Sequence, residues 1–298
     1  EGSWGEFIQT FFDESKVAIQ NYANGGRSTR NFINEGSLDK IKQNIKEGDY
    51  LFIQFGHNDC SADYADRFVP VGEPDADGKY PVTAGTKTTV DGKEQYAHDC
   101  GGTFKWFLKQ YVDAAKEKGA IPVLVTPVSR MYYDKSGVGT IRTHHDCDVS
   151  DVTGNTYKSS NNAYVEAVKQ LAEEESVLLV DAFEFTKGMY EMAWTDSTDK
   201  AADMCNYGSQ LMGVKDGTAV DATHCNKLGG FIEAAYMTKA IKDLKDTEGN
   251  NLNIASAITA PKAVSGEMAP KKVDGVTVPG KTVFTVNNSG KFTAYDKL

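Results

Sequence analysis

Gly48-Asp49-Tyr50-Leu51-Phe52-Ile53-Gln54-Phe55-Gly56-His57-Asn58-Asp59 is the stretch on which the fold turns. Leu51 to Phe55 is a short apolar run rich in strand formers, as expected of a strand buried on both faces of a parallel sheet. It stops at Gly-His-Asn-Asp, residues that favour a tight turn and carry hydrogen-bond donors and acceptors. In open α/β sheets, ligands bind beyond the carboxyl ends of the strands, so a polar cluster here marks a candidate site. Alone, the segment reads better as a plain strand-to-loop turn than as a site.

Two other stretches stand beside it. Upstream, Asn21-Tyr22-Ala23-Asn24-Gly25-Gly26-Arg27-Ser28 follows a short strand candidate at Val17–Gln20 and offers glycine N–H groups that a ligand can approach closely. Downstream, Asp221-Ala222-Thr223-His224-Cys225-Asn226 precedes a helical pattern from Leu228 to Leu244. There a carboxylate stands three residues before an imidazole, near enough in sequence to orient and charge-stabilise it as a base.

Between these landmarks, strand-like and helix-like segments alternate. Trp4 to Ser15 has an amphipathic pattern, with Trp4, Phe7, Ile8, Phe11 and Phe12 along one side. A short helix is expected over Ser37–Ile45, capped by Ser37. Thr103–Lys118 and Ser159–Glu174 are the next helices, and Ile121–Pro127 and Val177–Asp181 the next strands. Cys60 to Gly102, Met131 to Lys158 and Thr195 to Ala219 read as long polar connections, which in compact domains are functional or ordered by their surroundings. Strand and helix in alternation imply a parallel sheet with right-handed crossovers. After Asp246 the pattern changes to proline, glycine and short β-type runs, including Val276–Val278 and Thr282–Val286.

The chain has 298 residues, 40% hydrophobic and 25% charged, as in ordinary globular proteins. A net charge of −10 argues against a nucleic-acid partner and leaves no basic anchor for a lipid surface. No apolar run has the length of a membrane helix. A polyanionic substrate would need locally concentrated positive charge, for which Arg27 and Arg30 are the candidates. The five cysteines, Cys60, Cys100, Cys147, Cys205 and Cys225, are too few for a disulfide scaffold. A Cys60–Cys100 bridge would close the long insertion, and free thiols fit equally well. His144-His145-Asp146-Cys147-Asp148 has metal-ligand chemistry, but adjacent loop residues rarely converge on one ion and no second group has suitable spacing. No metal is expected there.

Together the three stretches resemble the SGNH (GDSL-like) hydrolases, most closely the rhamnogalacturonan acetylesterase-like branch. The resemblance covers roughly residues 4 to 245 and is most specific from Asn21 to Asp59, including Gly25-Gly26-Arg27-Ser28 and Glu35-Gly36. It implies a three-layer α/β/α sandwich with a flavodoxin-like parallel sheet of about five strands. Residues 1–246 would form the hydrolase-like domain and 247–298 a β-rich C-terminal extension or linker. His224 would be the catalytic base, Asp221 its orienting acid, and Gly26 and Asn58 the oxyanion hole, with His57 and Asp59 holding the loop. The implied activity is serine-type removal of O-acetyl groups from plant cell-wall rhamnogalacturonan, with no cofactor. The implied partner is an acetylated polysaccharide or oligosaccharide, met outside the cell, although a chain opening at Glu1 cannot reveal a signal peptide. Alternatives are a deacylase of xylan or peptidoglycan, and a non-catalytic carbohydrate-binding relative.

The chain departs from the family in one large respect. The Gly-Asp-Ser block that ends the family's first strand and carries its nucleophile should precede Trp4 and is not there; Ser3 has no strand before it. Either residues upstream of Glu1 complete the fold, or an internal segment fills the gap. The internal candidate is Lys281–Val286 followed by Asn287-Asn288-Ser289, as in a circular permutation, which would make Ser289 the nucleophile. Otherwise the nucleophile stays unassigned.

Overall fold

The structure is a computed structural model describing residues 2–61, 64–130, 148–150, 156–158, 163–187, 212–215, 219–259, 264–268, 271–273, 276–278 and 281–286. They cluster into two compact units. One comprises Tyr22–Ser129 and Thr143–Phe183, the other Glu1–Asn21, Arg130–Arg142 and Glu184–Leu298.

The first unit is built on a parallel sheet in the order Tyr50–Gln54, Ile121–Val125, Leu178–Val180. Three of the expected strands are thus present and parallel among the described residues. Residues 123–125 of the middle strand are fully buried, whereas most of Tyr50–Gln54, at the sheet edge, is half-buried. Pro122 lies in that middle strand, one residue before its pairing with Leu178–Val180 begins, so its missing N–H removes no bond from that ladder.

Helices join the strands. Phe104–Glu117 starts at Thr103, and its Phe104, Phe107, Leu108, Tyr111 and Val112 are each at most 1% exposed. Ala163–Glu174 adds Tyr164, Ala167, Val168 and Leu171 to the same core. The two helices are pinned by Lys105, whose ammonium is buried yet donates to the Tyr80 carbonyl, Gln170 Oε1 and Glu174 Oε1. All three ammonium hydrogens thus have acceptors, the condition for burying a lysine.

Two local expectations shift here. Ser37 begins its helix instead of capping it; the cap is Gly36, at φ +75°. The connection from Cys60 to Gly102 contains a hairpin, Lys87–Val90 with Lys93–Tyr96, turned at Asp91-Gly92 with both residues at positive φ. An Asp-Gly pair between alternating segments is a direct hairpin signal. Tyr96 then exchanges two hydrogen bonds with Asn34, which orders the insertion against the helix Thr29–Asn34. Cys60, Cys100 and Cys225, the described cysteines, are thiols, so no Cys60–Cys100 bridge closes this insertion.

The second unit centres on the helix Lys227–Asp243, whose Phe231, Ile232, Ala234, Met237 and Ile241 are buried. Trp4–Ser15 is not one helix. A single α-turn, Trp4–Phe7, gives way to a 3-10 turn at Ile8–Phe11, and Phe12 is extended. The cause is a bridge to Ile258: Asp13 donates to the Ala257 carbonyl and Thr259 to that of Phe11. Phe7 and Phe11 pack on Phe231, with centroids 5.9 and 5.1 Å apart. Val17–Gln20 is likewise not a strand. The Gln9 side chain takes the place of a neighbouring strand, accepting from the Ile19 N–H and donating to the Val17 carbonyl.

Beyond Asp246 the expected β-type runs form local antiparallel pairs, Val264–Met268 with Lys281–Val286 and Lys271–Val273 with Val276–Val278. Lys281–Val286 therefore lies in an antiparallel ladder of its own and not beside Tyr50–Gln54, as the permuted arrangement required. A partner close in sequence, itself β-prone, outcompetes a distant parallel slot because it closes a much shorter loop. Ser289 is outside the described residues.

Candidate active site

The strand Tyr50–Gln54 delivers the chain to Gly56, at φ +135°, and the following turn carries the polar cluster. Asp59 is buried and acts as its clasp. One carboxylate oxygen accepts from the Thr29 N–H at 2.9 Å and the Thr29 hydroxyl at 2.6 Å. The other accepts from the Gly56 N–H at 3.1 Å. Burial pushes this carboxyl up to about 6, while the donors from Thr29 and Gly56 pull the other way. Asp59 thereby ties the strand end to the first residue of the helix Thr29–Asn34. That helix is closed by a capping box between Ser28 and Asn31, and the Tyr111 hydroxyl holds the Thr29 carbonyl at 2.7 Å. His57 is a second brace, with Nε2 2.7 Å from the Val128 carbonyl.

These braces hold Gly26 and Asn58. Gly26 lies two residues before the Ser28 cap, at φ +76°, a conformation that favours glycine. Its N–H donates to no described residue. Asn58 offers its side-chain oxygen to Arg67 Nη1 at 3.4 Å. An arginine can only donate, so the amide oxygen must face it and the amide nitrogen must face away. Among the described residues that nitrogen has no acceptor. Arg67 Nη1 is also the nearest heavy atom, at 3.8 Å, to where a Cβ on Gly26 would stand. Arg67 Nη1 thus lies near both Gly26 and Asn58.

Arg67 went unnoticed in the sequence, where it is one basic residue in a long polar loop. The weak signal is Tyr64, three residues before it, whose ring lies 5.0 Å below the guanidinium. The arginines expected to supply positive charge do other work. Arg30 is 4% exposed and donates to the carbonyls of Ala65, Asp66, Phe68 and Tyr96. Arg27 is paired through Nε with both carboxylate oxygens of Glu35 at 3.1 Å. Arg30 in effect fixes the loop from which Arg67 projects.

His224 and Asp221 belong to the other unit. Both lie in the strand Ala219–Cys225, paired antiparallel with Met212–Lys215. Residues three apart on a regular strand face opposite sides, which would separate an acid from its base. The ladder is not regular here. Val214 pairs with Val220 and Met212 with Cys225, so Asp221 to His224 fall in its bulged part. His224 is exposed and stands two residues before Asn226, whose side chain caps the helix Lys227–Asp243 by accepting from the Gly229 N–H at 3.0 Å. His144 to Cys147 lie outside the described residues.

A model of the GDSL-like lipase/acylhydrolase family matches residues 1–230. The chain belongs to this family. Its parallel sheet with flanking helices is the α/β/α fold of the GDSL hydrolases, expected from the sequence. The chain is 30% identical over 245 residues to the probable rhamnogalacturonan acetylesterase YesY of Bacillus subtilis, covering 82% of this chain and 85% of that protein. To the rhamnogalacturonan acetylesterase RhgT of the same organism it is 31% identical over 241 residues, 81% of each. The crystal structure of YxiM from Bacillus subtilis superposes with a TM-score of 0.50 at 22% identity. It covers 80% of this chain, which spans 49% of that one. Among the described residues no helix is long and apolar enough to cross a membrane.

Proposed function

We propose that this GDSL-family chain is a serine-type carbohydrate esterase that removes O-acetyl groups from rhamnogalacturonan, acting outside the cell. The observation that carries the proposal is the pair of uncommitted donors, the Gly26 N–H and the Asn58 side-chain N–H₂, held around Arg67. Donors without acceptors among the described residues, beside the carboxyl end of a parallel strand, are what a developing oxyanion requires, since they need not be freed before the reaction. The printed names of YesY and RhgT support acetylated rhamnogalacturonan as the substrate class. Residues 1–246 are the catalytic domain in this reading, and 247–298 a β-rich extension.

The roles follow from the chemistry. His224 removes the proton as a serine hydroxyl attacks the acetyl carbonyl, and Asp221 orients the imidazole and stabilises its charged form. Gly26 and Asn58 hold the negative oxygen of the tetrahedral intermediate. His224 returns the proton to the departing sugar hydroxyl, and water then releases acetate from the acyl-enzyme by the same route. The attacking serine is the one group without an assigned position, and phosphonate labelling followed by peptide mapping identifies it.

Asn58→Ala tests the reading. Losing one oxyanion donor should lower kcat by about 10²- to 10³-fold with little change in KM, because the contact strengthens only in the transition state. A variant with unaltered kcat on acetylated rhamnogalacturonan removes Asn58 from the mechanism.

A further inference from the structure

We infer that Arg67 is a specificity-determining residue that binds a carboxylate of the substrate, the uronic acid group of a chain such as galacturonan, beside the oxyanion donors. The inference rests on the acidic glycan proposed above. It starts from a charge problem: a protein of net charge −10 must hold a polyanion, and that takes a local cation. Around the Gly26–Asn58 pair three arginines are near in sequence or space, and two are spent. Arg30 is buried against four carbonyls, and Arg27 is neutralised by Glu35.

Arg67 remains. Its side chain is 36% exposed. Nη1 donates to Asn58, and Nη2 donates to no described residue. Among the described residues the one carboxylate paired with it, Asp66, lies 3.7 Å from Nε and is 72% exposed, so solvent screens the pair heavily. The guanidinium is nonetheless held in place. Tyr64 lies beneath it, the Arg67 N–H donates to the Tyr64 carbonyl at 2.9 Å, and Arg30 clamps the backbone on both sides. A planar cation fixed in this way, with a free N–H edge, fits carboxylate geometry better than a mobile lysine would. Because Nη1 is shared with Asn58, a carboxylate on the free edge would sit next to the oxyanion donors. That selects esters on or adjacent to a uronic acid residue.

The test compares binding of an oligogalacturonide with that of its fully methyl-esterified form, which is neutral and nearly isosteric. Calorimetry on the wild-type chain, Arg67→Gln and Arg67→Lys requires no turnover. The wild type should bind the acid form about tenfold or more tightly over the ester, with a preference that weakens as salt is raised. Arg67→Gln should lose that preference while keeping its affinity for the ester, and Arg67→Lys should recover part of it. Retention of the wild-type preference by Arg67→Gln overturns the inference. So does an equal loss for both forms in Arg67→Gln and Arg67→Lys, which would make Arg67 only a prop for the loop. Failure of the wild type to bind either form overturns it as well. Acetate release is read separately: a chain that binds the acid form through Arg67 but releases no acetate defeats the esterase and leaves the carboxylate site standing.

Discussion

Glu233 gives the sharpest expectation about stability. It lies in the helix Lys227–Asp243 and is 5% exposed. The Cys225 thiol donates to Oε1 at 3.3 Å, and the Trp4 backbone N–H also donates to the carboxylate. Burial outweighs these contacts and raises the carboxyl from 4.5 to about 7. The folded state therefore prefers Glu233 protonated. Its contribution is fully present below about pH 4.5 and is lost as the pH rises through about 7. The gap between the two values corresponds to about 3 kcal/mol. Glu233→Gln mimics the neutral acid and cannot ionise, so its stability should fall less than that of the wild type over this range. Urea unfolding of both proteins from about pH 5 to about pH 8 measures the difference. The wild type should lose up to about 1.4 kcal/mol per pH unit relative to the variant between about pH 5 and about pH 6.5, and less above about 7. Equal pH slopes for the two proteins would refute the assignment of that loss to Glu233.

Other consequences are equally direct. Asp59→Asn turns an amide N–H₂ towards either Thr29 or Gly56, both donors, and should cost about 1–3 kcal/mol in urea unfolding; an unchanged midpoint contradicts its role as clasp. Arg30→Met strips the donor from the carbonyls of Ala65, Asp66 and Phe68, and amide exchange over 64–69 should accelerate at least tenfold. Gly230→Ala places a methyl 2.7 Å from the Ser3 backbone nitrogen, so it should free the first residues to proteolysis and lower the melting temperature by several degrees.

The sequence carried the α/β class well, because strands and helices with apolar faces leave an unmistakable periodicity. Tyr50–Gln54, Ile121–Val125 and Phe104–Glu117 lie within one residue of their expected starts. Where it misled, the competing partner lay far along the chain. Val17–Gln20 has the composition of a strand, but its Ile19 N–H and Val17 carbonyl are met by the Gln9 side chain. Helical periodicity over Trp4–Ser15 yields to a bridge with Ile258, more than 200 residues away. Lys281–Val286 was legible as a strand, but its antiparallel partner Val264–Met268 was not. The candidates Asn58 and Gly26 came from motif residues, and Asp59 and His57 hold the loop through hydrogen bonds to Thr29, Gly56 and Val128. Arg67 was invisible because its value comes from the loop that Arg30 and Tyr64 hold in place, and no local pattern encodes that.

Acetate release from acetylated rhamnogalacturonan oligosaccharides, wild type against His224→Ala, tests the central claim most directly. The protein is taken as its reading frame encodes it, including any residues before Glu1. The wild type should release acetate catalytically, and His224→Ala should be slower by about 10⁴-fold or more while binding the oligosaccharide unchanged. Equal rates for the two proteins, or no acetate from the wild type, would contradict the account.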